Sequence, residues 1–204
     1  MSATRLLVLG VVRTLGRAHG YQVRRELIAW GAEEWANVKP GSIYHALRQL
    51  LKSGMVRTAG VEESAEGPER TLFELTEDGT TEFVRLLSKA LSVADVKPEF
   101  FSAGVTFMTA LPRDMVITLL RRRLAHQEGT QHLLKSAYDG VIAGKPPHVW
   151  ELLEWWNVQQ DATVAFTRGM IRRLEEGAYE MSGEIETPFG LGPRPVALPA
   201  LDQD

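Results

Sequence analysis

One stretch constrains this chain more than any other: Pro40-Gly41-Ser42-Ile43-Tyr44-His45-Ala46-Leu47-Arg48-Gln49-Leu50-Leu51-Lys52-Ser53-Gly54-Met55-Val56. Ile43, Leu47, Leu50 and Leu51 recur at helical spacing and define an apolar face. Ser42, His45, Arg48, Gln49 and Lys52 fall on the opposite side. Pro40 is tolerated in a first turn, where its missing N–H is not needed. Gly54 is a natural stop, because a left-handed residue after a helix costs glycine nothing. The spacing predicts a short helix that sits on a core and offers amide, hydroxyl, imidazole and guanidinium groups to a polyanion.

The charge distribution agrees with that face better than the total does. The formal net charge is −3, yet residues 1–60 carry nine Lys/Arg against three acids, a net of +6, while residues 61–100 carry four against ten, a net of −6. A local basic field can steer a polyanion even on an acidic protein. The chain contains no cysteine. Disulfides, thiolate metal sites and a thiol nucleophile are therefore excluded. No apolar run reaches the ~18 residues of a membrane span. The start, Leu6-Leu7-Val8-Leu9-Gly10-Val11-Val12, resembles a signal sequence only superficially, because Arg13 and Arg17 follow and no small-residue cleavage site stands out. A buried helix and a cytoplasmic location are expected.

Residues 4–17 read as a helix apolar on more than one side, which needs a cover on two sides. The second cover is expected from the C-terminal helices or from another subunit. A second helix is expected over 20–32, then a connection over 31–39 and the helix from Pro40. Two strands follow, 56–61 and 69–75, with a turn at Glu62 to Pro68. Thr76 is placed to cap a helix running to about Leu91. Three helices, a two-stranded hairpin and a further helix make a winged helix-turn-helix, whose second paired helix enters the major groove.

Beyond it, residues 92–111 read as a mixed connection. Long helices are expected over about 112–138 and 148–176. Met115, Val116, Leu119, Leu120, Leu124, Leu134 and Tyr138 stripe the first; Val149, Leu152, Leu153, Trp156, Thr163, Phe166, Met170 and Leu174 stripe the second. The turn between them spans Gly140 to Pro147, so the helices run antiparallel. Their leftover apolar surface predicts a twin subunit. The fold class is thus mainly α: a winged helix-turn-helix over 1–91, a helical dimerisation and effector domain over 92–181, and an irregular or disordered tail over 182–204.

Four separate pieces occur in order: Gly20-Tyr21; Gly41-Ser42-Ile43-Tyr44-His45-Ala46-Leu47; Gly54-Met55-Val56; and Phe73-Glu74-Leu75-Thr76-Glu77-Asp78-Gly79. Together they resemble the PadR family, bacterial regulators named after the phenolic acid decarboxylase repressor. The resemblance is close over residues 4–91 and loose to about 176. It implies a homodimeric repressor, paired through C-terminal helices, that reads an inverted repeat of double-stranded DNA and is released by a small-molecule effector. It implies DNA-facing roles for Tyr21, Ser42 and Tyr44 and a wing contact for Arg70. With Lys39, His45, Arg48 and Lys52 these make the expected DNA-binding set. Two departures stand out: Phe73 replaces the family's usual tyrosine, and the wing, Glu62 to Arg70, is acidic where the family's is often basic.

Trp155 and Trp156 are candidates for an effector pocket, against the plainer reading that they fill a dimer core or cover its edge. They point about 100° apart, so at most one faces a given cavity squarely. Trp30 and Trp35 read as structural. His126 and His132, six apart, do not share a helix face as a metal pair would, so no metal or other cofactor is expected. Ser, His and Asp occur without the context of a catalytic site, and an enzyme is not expected. The rival to a DNA-binding regulator is a winged module kept for binding protein or small molecule, its DNA contact weak or lost, which the acidic wing motivates.

Overall fold

The computed structural model describes residues 2–62, 69–141 and 146–184, with the backbone alone over 137–141. The wing tip, residues 63–68, the inter-helix residues 142–145, the side chain of Tyr138 and the tail from 185 onward lie outside the described residues.

Helix α1 (Ala3–Leu15) is the centre of the core. Leu6, Leu7, Val8, Leu9, Val11 and Val12 are all fully buried. Each such side chain contributes about 1.5–3 kcal/mol of transfer free energy. One side of α1 is covered by α2 (Gly20–Ala29), α4 (Pro40–Lys52), β3 (Arg70–Leu75) and α5 (Glu77–Ser92). The second cover is α6 (Pro98–Phe107), a helix within the stretch expected as a connection. Phe107 of α6 packs edge-on against Phe83 and Trp30, at 5.7 and 5.9 Å between ring centroids.

A four-residue helix, α3 (Ala32–Trp35), occupies part of the connection before α4, and α2 ends earlier than expected. Helix α4 begins with Lys39 as N-cap and Pro40 in the first turn, and buries Ile43, Leu47 and Leu50. After Ser53, Gly54 takes φ +72°, the left-handed conformation in which other residues are strained. The chain then enters β2 (Val56–Glu62), which pairs antiparallel with β3 across a bulge between Thr58 and Gly60. The sheet has three strands, where two were expected. A two-residue strand, β1 (Ala18–His19), adds to the free edge of β3, pairing Ala18 with Phe73 and His19 with Leu72. Thr76 caps α5 as expected: its Oγ1 accepts from Gly79 N at 3.0 Å and donates to Gly54 O at 2.7 Å.

A 3₁₀ turn (Met108–Ala110) leads through Pro112 into α7 (Arg113–Val141), and α8 (Val149–Glu175) returns along it. The expected turn thus starts later than Gly140, within residues that are partly undescribed. Cross-links set the register of the pair: Arg168 with Glu128 at 2.7 Å, Arg121 with Glu175 at 2.6 Å, and Gln131 donating to Asp161 at 2.6 Å. Exposed ion pairs of this kind are worth little singly, so the buried faces carry the stability. Met170, Ile171 and Leu174 of α8 join the main core. Residues 182–184, expected as the start of an irregular tail, are instead docked. Ser182 N donates to Thr109 O at 2.9 Å, and Met181 is fully buried. Arg113 donates to the carbonyls of Leu174, Ala178 and Tyr179 and to both carboxylate oxygens of Glu184.

Candidate nucleic-acid interface

The polar side of α4 faces outward because its apolar side is committed to α1 and α2. Lys39, His45, Arg48 and Lys52 are exposed, and Ser42 is half-buried. Tyr44 sits at the boundary, 38% exposed. Its ring rests on the first residue of α2: a Cβ on Gly20 would lie 2.8 Å from Tyr44 Cε1, so only glycine lets the two helices meet this way. Ser42 Oγ donates to Lys39 O at 2.6 Å. With its proton used there, the hydroxyl is left as an acceptor, suited to a base amino group rather than a phosphate.

Between α2, α4 and β3 lies an open cavity of about 280 Å³. Tyr21, Tyr44, Arg48 and Arg70 stand around it, with Leu47 and Phe73 among the lining residues. Four of the eight residues expected to face DNA thus share one concavity; Lys39, Ser42, His45 and Lys52 lie outside it, along α4. Arg70 is held over the Tyr21 ring at 5.5 Å. That cation–π contact aims the guanidinium without neutralising it. Among the described residues, Lys39, Arg48, Lys52 and Arg70 form no ion pair with one another or with any acid. The wing base is different. Glu74 of β3 accepts from Arg17 at 3.0 Å and from Arg57 at 2.7 Å, and these hydrogen bonds, Arg17's first, hold its carboxyl below the usual range. Two of the basic residues that gave the N-terminal segment its charge are therefore already paired.

His19 was missed by sequence reasoning. It is 4% exposed, lines the same cavity and caps α2. Its Nδ1 accepts from Gln22 N at 3.2 Å, while Gln22 Oε1 accepts from His19 N at 3.0 Å. This is a capping box with imidazole in place of the usual hydroxyl. The signal was a histidine just before the helix with glutamine three residues on. Because Nδ1 accepts, the neutral ring carries its proton on Nε2, 3.5 Å from Glu62 Oε2. Burial is the main cause that lowers the His19 pKa, with Arg70 adding to it and Glu62 opposing.

Trp155 and Trp156 are 57% and 43% exposed, so within one chain they fill no core. They line neither described cavity. The second cavity, about 250 Å³, lies between α3, α6 and α8, against Trp35, Phe101 and Phe166. Trp35 is structural, its Nε1 donating to Trp30 O at 2.8 Å. Among the described residues no cluster of His, Asp and Glu could hold a metal ion, and no helix is long and apolar enough to cross a membrane.

Residues 8–85, which contain the whole cavity, match the model of the transcriptional regulator PadR-like family. Over those residues the chain is similar to the PadR-like family. No curated protein matches the sequence. Similar solved structures include Bacillus subtilis PadR in complex with operator DNA, 18% identical with a TM-score of 0.39, covering 83% of this chain and 98% of that one. Bacillus subtilis PadR in complex with p-coumaric acid is 17% identical with a TM-score of 0.36, covering 85% and 99%. A PadR-like transcriptional regulator from Bacillus cereus has the same identity, TM-score and coverage. The PadR-like match ends within α5, so α6 to α8 stand on the geometry described above.

Proposed function

We infer that this chain is a DNA-binding transcriptional regulator that works in the cytoplasm as a homodimeric repressor. Residues 1–91 serve as the DNA-binding unit, residues 92–181 as the dimerisation and effector unit, and residues 182–204 as a tail. The observation that carries the reading is the set of cations around α4 that pair with no acid among the described residues, with the tyrosines beside them. Lys39, Arg48, Lys52 and Arg70 supply phosphate contacts, Tyr21 and Tyr44 position the backbone, and Ser42 and His45 face base edges. The match of residues 8–85 to a family of transcriptional regulators supports this reading.

Pairing of two chains is supported by the surface of α7 and α8. Leu133, Leu152, Trp155, Trp156, Val158 and Phe166 all leave large apolar areas exposed. An uncovered patch of that kind marks an association surface. Two copies related by a two-fold axis would set two α4 helices about one turn of DNA apart, on an inverted repeat. A small-molecule effector releases the DNA by binding one dimer geometry better than the other, and Trp155 or Trp156 contacts it.

The rival, a winged module that binds protein or small molecule, is favoured by one observation. Glu74 neutralises Arg17 and Arg57 at the base of a wing whose strand already carries Glu62. Selection from a pool of duplexes with a random core of about 30 base pairs, three turns of DNA, separates the two. The regulator enriches an inverted repeat bound by two chains. The rival enriches nothing at low salt.

A further inference from the structure

His19 belongs to no expected set, yet it touches α2, β2 and β3 together. Its ring caps α2 through Nδ1, faces Glu62 of β2 through Nε2, and stacks on Tyr21 at 6.1 Å with 27° between planes. Tyr21 in turn carries Arg70 of β3. Both strands of the wing and the first helix of the pair thus meet on one buried imidazole.

We propose that His19 is the positioning residue that holds the wing and the helix-turn-helix in register, and that only its neutral form can do so; the inference rests on the DNA-binding reading above. A proton on Nδ1 turns an acceptor into a donor. It then opposes the Gln22 N–H it had accepted from, and half of the capping box is lost. The ring is too enclosed to turn into water without opening the first turn of α2. Tyr21 moves with that turn, and Arg70 loses the ring that aims it.

The charged and titratable groups around His19 define the response to acid. Glu62 from β2 favours the imidazolium. Arg70 from β3 and Arg25 from α2 disfavour it, as burial does. Tyr21 of α2 is stacked on the ring, and Tyr44 and Arg48 of α4 face it across the cavity. The folded ring therefore takes up its proton at lower pH than the unfolded one, whose ordinary value is 6.5. The stability that the cap supplies is present above that value. It is lost as pH falls from it toward the lowered folded value.

The test uses the full chain. Exchange of the Gln22 amide is followed by NMR as pH falls, without DNA. Affinity for a duplex taken from the random-core selection is followed in parallel. His19→Asn keeps an N-capping side chain and removes the titration. Glu62→Gln removes the carboxylate facing Nε2. The wild type is expected to lose Gln22 protection and about fivefold in affinity along one titration, the size a lost N-cap gives. That step is absent from His19→Asn, whatever its affinity at high pH, and moves to lower pH in Glu62→Gln. Gln22 protection that ignores pH in the wild type overturns the inference. So does a wild type and His19→Asn pair with the same pH profile for DNA. If neither binds any duplex at high pH, the DNA reading itself fails, and the exchange titration distinguishes that outcome because it contains no DNA.

Discussion

Tyr44 rests on Gly20, and that contact joins the two helices of the helix-turn-helix at the point where the cavity opens. A Cβ at Gly20 would come within 2.8 Å of the Tyr44 ring. Gly20→Ala should raise the intrinsic helix propensity of α2 and still damage the interface, because the ring must swing outward. The expected result is a melting temperature within a few degrees of wild type and about a tenfold loss of DNA affinity, the effect of losing one good contact. Thermal unfolding and duplex titration on one preparation check both halves.

Arg48→Ala removes a cation that no described acid neutralises. Affinity should fall for every duplex, selected or not. The slope of log affinity against log salt should become shallower by about 1, as the loss of one phosphate contact requires. Sedimentation of the variant should match wild type, because Arg48 lines the cavity between α2, α4 and β3 and is not part of the exposed apolar face of α7 and α8.

Glu74→Gln releases Arg17 and Arg57 together. The carboxylate that held them gives way to a neutral amide, and two guanidiniums return to the basic field of the first 60 residues. Affinity for unselected DNA should rise and its salt dependence steepen, while discrimination between duplexes falls. An unchanged salt slope would show that these arginines do not reach the backbone.

Arg113 and Glu184 hold the chain after α8 against the start of α7. Arg113→Ala removes a donor from the carbonyls of Leu174, Ala178 and Tyr179 and leaves Glu184 with Met181 N, and Leu174 O with Gly177 N. The melting temperature should drop by several degrees with DNA affinity at 25 °C unchanged. The Arg113 hydrogen bonds hold the Glu184 carboxyl below its ordinary value of 4.5. The clamp's stabilisation is therefore present above that value and lost as pH falls through the lowered one. The wild type should lose melting temperature in acid beyond what Arg113→Ala loses.

The parts of this molecule that were legible in its sequence carry their instructions locally. Helix α4 shows its apolar stripe, its opening proline and its closing glycine within seventeen residues, from Pro40 to Val56. Thr76 announces α5 by the acids behind it. The winged arrangement could be anticipated from these pieces; Tyr21 and Arg70 were named only through the family resemblance, and their meeting with Tyr44 and Arg48 around one cavity was not expected. What was not legible depends on partners distant in the chain. Strand β1 is two residues long and exists only because β3 has a free edge to receive it. Helix α6 hid behind adjacent phenylalanines, Phe100 and Phe101, which blur a single stripe; Pro98 and Glu99 were its start signal. The anchoring of residues 182–184 is invisible without Arg113, some seventy residues earlier. His19 escaped because histidine seldom caps a helix, and its second partner, Glu62, comes from the wing. Trp155 and Trp156 were read as a ligand pocket or as dimer packing, and among the described residues they line neither cavity and stay exposed on one chain.

The account turns on whether the polar face of α4 meets base edges. The chain has no cysteine, so Ser42→Cys provides a unique thiol there. A selected duplex carrying a thiol tethered to a major-groove base edge in each half-site offers the partner. Thr118→Cys, at an exposed position of α7 outside both the α4 face and the apolar patch, is the control. Rapid disulfide capture is predicted for Ser42→Cys at equilibrium and none above background for Thr118→Cys; equal rates for the two would contradict the placing of α4 in the groove.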